Sequence, residues 1–213
     1  INGGLAALNG LFRFLGWEGC RARFVKIQRR GFQDPSQELT KTEYAHLTAA
    51  ARDQGRERLA LLLETICATG IRVSEVAYIT VEALQMGKAE VALKGKIRTI
   101  LWPAKLGRKL LKYARKQKIA SGAIFRTRSG KALSRGQIWG MLKRLSKVAG
   151  VDPSKVFPHN LRHLFATTFY QASKDIVKLA DVLGHTHIET TRIYLMTSGR
   201  EHQRQLEALG LVN

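Results

Sequence analysis

Residues Pro158 to Tyr194 read PHNLRHLFATTFYQASKDIVKLADVLGHTHIETTRIY. His159 and Arg162 stand three apart at the start of a helical pattern, so they share a face about one turn apart. Ile176, Leu179, Ala180 and Leu183 then form an apolar helical stripe. Gly184 stops it, and His185 follows at once. Tyr194 comes nine positions later on another short helical run. The spacing gathers polar side chains onto otherwise apolar helices, as an active site for phosphodiester chemistry requires. The stretch supplies most of such a site, and the remaining groups must come from upstream.

Working outward, 213 residues allow one large domain or two small ones. Lys and Arg number 36 against 16 Asp and Glu, a formal charge of +20. The apolar fraction is 45%, which excludes a disordered basic tail. Such an excess of cations on a folded chain is the electrostatic footprint of a nucleic-acid binder. Cys20 and Cys67 each sit inside an apolar helical pattern, without metal-type spacing, and are expected as reduced, buried thiols of a cytosolic protein. No apolar run approaches the roughly 18 residues of a membrane span, and no signal peptide is legible. Because the chain starts at Ile1, it is read as a fragment or a processed product.

In residues 1–17 one helical face carries Leu5, Leu8, Phe12 and Leu15. Residues 18–38 mix Arg21, Arg23, Lys26, Arg29 and Arg30 with Gly31 and Pro35, and are expected as a basic, solvated linker. Thr40-x-x-Glu43 is a capping box, with Leu39 and Tyr44 placed as a hydrophobic staple, and predicts a helix to about Asp53. Leu59, Leu62, Leu63 and Ile66 predict a second, central helix ending at Gly70. Arg72 opens a short third one with Val73, Val76 and Ala77 inward. Residues 89–93 and 98–102 predict a β-hairpin closed by Pro103. A helix from Leu106 to Gln117 turns Leu106, Leu110 and Tyr113 inward. Ser134-x-x-Gln137 caps another with Ile138, Met141, Leu142, Leu145 and Val148 inward. Ser198-x-x-Glu201 predicts a last helix to about Gly210. The expected fold is α+β, mainly α-helical with a small antiparallel hairpin.

A tyrosine that attacks a DNA phosphate needs a base or a strong positive field, because its phenol has an ordinary pKa of about 10. Arginine suits the charge that spreads over the non-bridging oxygens, since its planar fork donates in parallel and stays charged. Histidine donates or exchanges a proton near neutral pH. A lysine on a mobile hairpin can protonate the leaving oxygen. Arg72, Lys94, His159, Arg162, His185 and Tyr194 offer one candidate for each role. Each has a bland alternative, Arg72 as a surface helix-start residue, His159 as an ordinary cap and Tyr194 as a core tyrosine. His159 with His163, and His185 with His187, raise a metal site. Sparse carboxylates and the absence of nearby cysteine argue against it, so no metal is expected.

The stretches ATGIRVSEV (68–76), HNLRHLFAT (159–167) and LGHTHIETTRIY (183–194) resemble the three signature boxes of the tyrosine recombinase family, the lambda-integrase type. The resemblance covers residues 39–213 as the catalytic domain. It implies that residues 1–30 are the last helix of a core-binding domain with the start of a linker, and residues 31–38 the linker. It implies that Arg72 and Arg162 clamp the phosphate, His159 helps move the proton from the tyrosine, and His185 donates to a phosphate oxygen. Lys94 is then the general acid, Tyr194 the nucleophile, and Glu75 a brace behind the site. The family's hairpin Gly-Lys-Gly-x-Lys appears here as Leu-Lys-Gly-Lys-Ile (93–97), so Lys96 stands beside Lys94 as an alternative. His163 is assigned to structure. Lys96, Arg98, Lys143, Arg144 and Lys147 are the expected DNA contacts.

The resemblance implies site-specific DNA cleavage and rejoining through a 3′-phosphotyrosyl intermediate, for a phage or mobile element, without ATP, metal or other cofactor. It further implies double-stranded DNA as partner, a homotetramer on two DNA sites joined through the C-terminal helix, and a bacterial cytoplasmic, nucleoid-associated location with no membrane. A type IB topoisomerase shares the chemistry but reseals the same strand. A DNA-binding module that no longer cleaves is the rival from outside enzymology.

Overall fold

The computed structural model describes residues 2–25, 35–93, 96–195 and 206–209. The chain divides into two units, Ile1–Gln33 and Asp34–Asn213. In the first, α1 (Asn2–Phe14) is followed by a 3-10 turn at Glu18–Cys20. The extended residues after it are held along α1 by two asparagines seven positions apart, which share one helix face. Asn2 and Asn9 each donate to and accept from one backbone residue, Val25 and Ala22 respectively, at 2.9–3.0 Å. Residues 18–25 are thus not the free linker the sequence suggests. Within the unit the helix buries Asn9, while Leu8, Leu15 and Phe14 stay exposed. Cys20 is exposed, against the expectation of a buried thiol. Cys67 is partly covered, and burial pushes its thiol pKa up.

The second unit is organised around α3 (Glu57–Thr69), whose Leu59, Leu62, Leu63 and Ile66 are all buried. Around it pack α2 (Lys41–Asp53), α5 (Ala104–Lys116) and α7 (Pro158–Ser173). The capping box forms as expected, Thr40 N–H donating to Glu43 Oε2 (2.8 Å) and Glu43 N–H to Thr40 Oγ1 (3.1 Å). At its far end α3 stops on Gly70 with φ +61°, and a Cβ there would come within 2.3 Å of the Phe165 ring. Glycine is required twice over, by backbone and by space.

The chain then forms a 3-10 segment, Val73–Tyr78, and α4 (Val81–Met86). Here Val76 is buried but Ala77 is exposed, because the 3-10 winding gives the inward place to Glu75. The hairpin pairs β1 (Lys88–Leu93) with β2 (Lys96–Leu101) from Lys88↔Leu101 to Leu93↔Lys96. Ala89, Val91 and Ile100 are buried on one face, while Ile97, Thr99 and Leu101 are exposed on the other. Helix α6 (Arg135–Val148) carries the second capping box and buries Ile138, Leu142 and Leu145. Val148, expected inward, is exposed, and Ser146 is buried instead, its hydroxyl donating to the Lys143 carbonyl (2.9 Å).

After α7 come α8 (Ile176–Leu183), capped by Asp175, then α9 (Ile188–Arg192) and a 3-10 turn at Ile193–Leu195. Most of the helix expected over 198–210 lies outside the described residues. Within them, 206–208 make one helical turn, with Leu209 N–H donating to the Leu206 carbonyl (3.2 Å). The main core runs from Leu39 to Leu164. A smaller cluster of Ala166, Leu179, Leu183 and Tyr194 lies where α7, α8 and the last turn meet.

Candidate active site

The ends of α3 and α8 and the start of α7 converge on Arg162, one turn into α7 and only 3% exposed. A guanidinium this deep needs acceptors. Nη1 donates to the Gly70 carbonyl and Nη2 to the Leu183 carbonyl (2.9 Å), so the last carbonyls of two helices supply them. Nη2 also lies 2.9 Å from His185 Nε2. Burial pushes the Arg162 pKa down to about 10, with the Tyr194 phenol working against that shift. Arginine therefore stays charged throughout the neutral range.

This contact settles the state of His185. Arginine only donates, so Nε2 must accept, and the ring proton lies on Nδ1. From there it donates to Thr191 Oγ1 at 2.8 Å. Burial first, then the charges of Arg162, Arg72 and Arg98, hold the His185 pKa down to about 4. The imidazole is neutral near pH 7.

Arg72 comes from the end of the loop after Gly70. Glu75 grips it twice, Oε2 accepting from its backbone N–H (2.8 Å) and Oε1 from Nη1 (2.8 Å). Its Nη2 reaches the Gly184 carbonyl at 3.5 Å, and the side chain remains 42% exposed and open to a ligand. Glu75 is buried, which alone would raise its pKa. The Arg72 backbone N–H, Arg98 and the Arg72 guanidinium outweigh that and hold it below the usual carboxylate range. It is an anion at neutral pH that cancels part of the site's positive charge.

Tyr194 completes the cluster at 6% exposure. His185 stacks on its ring at 5.9 Å and 9°, and the rings of His163 and His159 lie 5.4 and 5.6 Å away. His159 keeps a solvent-facing side, and desolvation followed by the Arg162 charge lowers its pKa. Residues 37–200 of this chain match the phage integrase family.

The chain belongs to the phage integrase family.

Across its whole length it is 32% identical to tyrosine recombinase XerA of Pyrococcus furiosus, covering 74% of that protein. It is 33% identical to tyrosine recombinase XerD of Xanthomonas campestris pv. campestris over 69% of this chain, and spans only 50% of that relative. Among solved structures it resembles XerA recombinase, with a TM-score of 0.68 at 22% identity over 98% of this chain and 74% of that one. It also resembles the Tn1549 transposon integrase in complex with transposon right end DNA, with a TM-score of 0.71 at 18% identity, over 98% and 78%. These likenesses carry the mainly helical fold with its small antiparallel sheet.

Within this integrase-family unit, Arg72, Glu75, His159, Arg162, His185 and Tyr194 come together, although residues 72 and 194 are far apart in sequence. Lys94 lies outside the described residues, and Lys96 begins β2 directly opposite Leu93. Arg98 is a correction. Expected at the DNA surface, it is turned inward, its side chain 9% exposed and bonded to Glu75 Oε2 (2.6 Å) and the Val182 carbonyl (2.7 Å). Burying its apolar stem beside a buried carboxylate outcompetes solvent. Lys143 is partly covered, donating to the Pro153 carbonyl and lying 5.3 Å from the Trp139 ring centroid. Arg144 and Lys147 are exposed on the same helix.

Two further residues bear on the cluster, and only Thr191 is absent from the sequence reading. Thr191, fully buried, orients His185, and its only mark in sequence is the Thr-Thr pair before Arg192. His163, assigned merely to structure, packs on Tyr194 with Nδ1 4.0 Å from Glu38 Oε2 and Nε2 buried without a partner among the described residues. Burial, then His159, pushes its pKa down to about 4. Among the described residues no group of three His, Cys, Asp or Glu side chains could hold a metal. None of their helices is long and apolar enough to cross a membrane.

Proposed function

We propose that residues 39–213 are the catalytic domain of a site-specific DNA recombinase that cuts and rejoins double-stranded DNA for a phage or mobile element. One observation carries this reading. A tyrosine sits inside a ring of three imidazoles, beside an arginine already fixed by two helix ends.

In the proposed reaction Tyr194 Oη attacks the scissile phosphorus while His159 takes the phenolic proton. Arg72 and Arg162 bind the non-bridging oxygens as charge builds on them. The bond to the 5′-oxygen breaks, and that oxygen takes a proton from the hairpin lysine, Lys94 or Lys96. The products are a 3′-phosphotyrosine and a free 5′-hydroxyl. A 5′-hydroxyl of the partner duplex then attacks the phosphotyrosine, so the phosphodiester is remade without ATP. To donate to a phosphate oxygen, His185 Nε2 must give up its contact with Arg162 and also carry a proton, taken up as a second ring proton or shifted from Nδ1, while a phosphate oxygen becomes the replacement acceptor for that guanidinium.

Arg144 and Lys147 are candidates for backbone contacts, and residues 1–30 for the end of a DNA-binding domain. Pairing of two DNA sites would require four copies, joined through residues 198–210, acting where the DNA lies in the bacterial cytoplasm. A nicked suicide substrate tests the whole proposal. Wild-type protein should form a covalent protein–DNA band on a denaturing gel, insensitive to EDTA, that Tyr194→Phe abolishes. A band surviving that change removes Tyr194 from the mechanism. Relaxation of plasmid without strand exchange would favour a topoisomerase.

A further inference from the structure

Three successive carbonyls at the end of α8 each accept from a different arginine. Val182 takes Arg98 (2.7 Å), Leu183 takes Arg162 (2.9 Å) and Gly184 takes Arg72 (3.5 Å). The negative end of a helix dipole is a favourable place for cations, but two of these arginines already have a role in binding phosphate. Arg98 does not, because it is spent inward. Its Nη1 donates to Glu75 Oε2 at 2.6 Å while Glu75 Oε1 accepts from Arg72, so one buried carboxylate joins the two.

Arg98 also lies on the strand that leads out of the hairpin. In the register Val91↔Arg98 and Leu93↔Lys96, positions 96, 98 and 100 have the same parity. Lys96 is therefore two residues from Arg98, about 7 Å along the strand. The contact with α8 is close enough to dictate sequence there. A Cβ at Gly184 would meet the Arg98 Cδ at 2.4 Å, and the Gly184 φ is +64°. Arg98 Nε is buried without a partner among the described residues, a cost that an ordinary stabilising ion pair would not carry.

We propose that Arg98 is a positioning residue, which pins the β1–β2 hairpin to Glu75 and α8 and so sets where the hairpin lysine meets the leaving oxygen. The role rests on the recombinase reading above. Arg98 touches no reacting atom in this scheme. It fixes the distance between the proton donor and the arginine clamp, a quantity on which general-acid catalysis depends steeply.

Paired suicide substrates separate this role from a structural one. The first carries an ordinary 5′-oxygen at the scissile phosphate, the second a bridging 5′-sulfur, which leaves without a proton. With Arg98→Gln we expect covalent-adduct formation on the oxygen substrate to fall by about tenfold or more. On the sulfur substrate it should stay within about threefold of wild type. Arg98→Lys, which keeps the charge but not the fork, should fall between the two. Thermal unfolding of both variants, followed by circular dichroism, reports on folding, and Arg98→Lys carries the comparison if Arg98→Gln does not fold. Equal loss on both substrates would overturn the proposal, because Arg98 would then act through Arg72 or through the fold. No loss on either would overturn it as well. Failure of the underlying reading looks different, since wild-type protein would then form no Tyr194-dependent adduct on either substrate.

Discussion

The arginine side of the site and the tyrosine side are held by different forces. On the arginine side, Arg72, Arg98 and Arg162 are fixed by directional bonds to Glu75 and to carbonyls at the ends of α3 and α8. On the tyrosine side, Tyr194 belongs to a small apolar cluster with Ala166, Leu179 and Leu183, and its polar neighbours meet it as stacked or tilted rings. Hydrogen bonds fix angles, whereas ring packing fixes place and leaves orientation soft. In the proposed mechanism, the half that meets the phosphate is thus preorganised. In the same mechanism, the half that presents the nucleophile is seated by ring packing, which sets its orientation less tightly.

The sharpest break of this contrast is Arg162→Ala. It removes the proposed clamp and leaves the Gly70 and Leu183 carbonyls and His185 Nε2 without their donor. Adduct formation on the nicked substrate should drop by about a thousandfold or more. Stability should fall by about 2–3 kcal/mol in urea unfolding. Activity within tenfold of wild type would mean that this side is not the clamp. Glu75→Gln comes next, because it loosens Arg72 and Arg98 together. Adduct formation should fall by about a hundredfold. A bridging 5′-sulfur should not restore it, in contrast to Arg98→Gln. Full recovery with sulfur would confine Glu75 to the hairpin.

What the sequence disclosed follows the same division. Periodicity and caps placed the helices around α3, because burying Leu62, Leu63 and Ile66 and satisfying Thr40–Glu43 are local or stripe-like demands. The charged residues that the fold brings together could be picked out only jointly, through three boxes that resemble the tyrosine recombinase family, because singly Arg72 reads as a surface helix-start residue and His159 as an ordinary cap. Arg98 misled, because a basic residue in a basic protein is assigned to solvent unless its buried carboxylate is known. That carboxylate lies 23 positions upstream. Ala77 and Val148 misled for a simpler reason. A 3-10 turn and the last turn of a helix do not keep the 3.6-residue period. Thr191 and His163 matter through what lies across the fold from them, which no local pattern records.

The tyrosine side can be probed by pH. His163 has a folded pKa of about 4 because it is buried, and His185 matches it. Unfolded histidine binds its proton near pH 6.5, so between about 6.5 and 4 the unfolded chain holds protons the folded one refuses. Stability present above that window is lost as pH falls through it, by about 3 kcal/mol for His163. Glu38 faces His163, and burial raises its pKa. A raised carboxyl gives stability below about pH 4.5 that fades as pH rises, so Glu38 softens only the acid end of the loss. Urea unfolding between pH 7 and 5 should show the decline, and His163→Asn should reduce its slope while the His185 share remains. An unchanged slope would place the acid sensitivity elsewhere.

The smallest effect is expected at the joint between the two sides. His185 bonds Arg162 through Nε2 and stacks on Tyr194 through its face, and Thr191 fixes which nitrogen carries the proton. Thr191→Val keeps the buried volume and removes the acceptor. The Nδ1 proton would then be unpaired, and moving it to Nε2 would point a donor at the Arg162 guanidinium. Either outcome costs about 1–2 kcal/mol, a loss readable as a lower urea midpoint. Adduct formation should fall by roughly threefold to tenfold, and Thr191→Ser, which restores the oxygen, should recover both. The position of the ring proton would be visible in 15N shifts of His185, with Nδ1 protonated in wild type and the tautomers mixed in the valine variant. A wild-type ring protonated on Nε2 would detach His185 from Arg162 and leave it wholly on the tyrosine side.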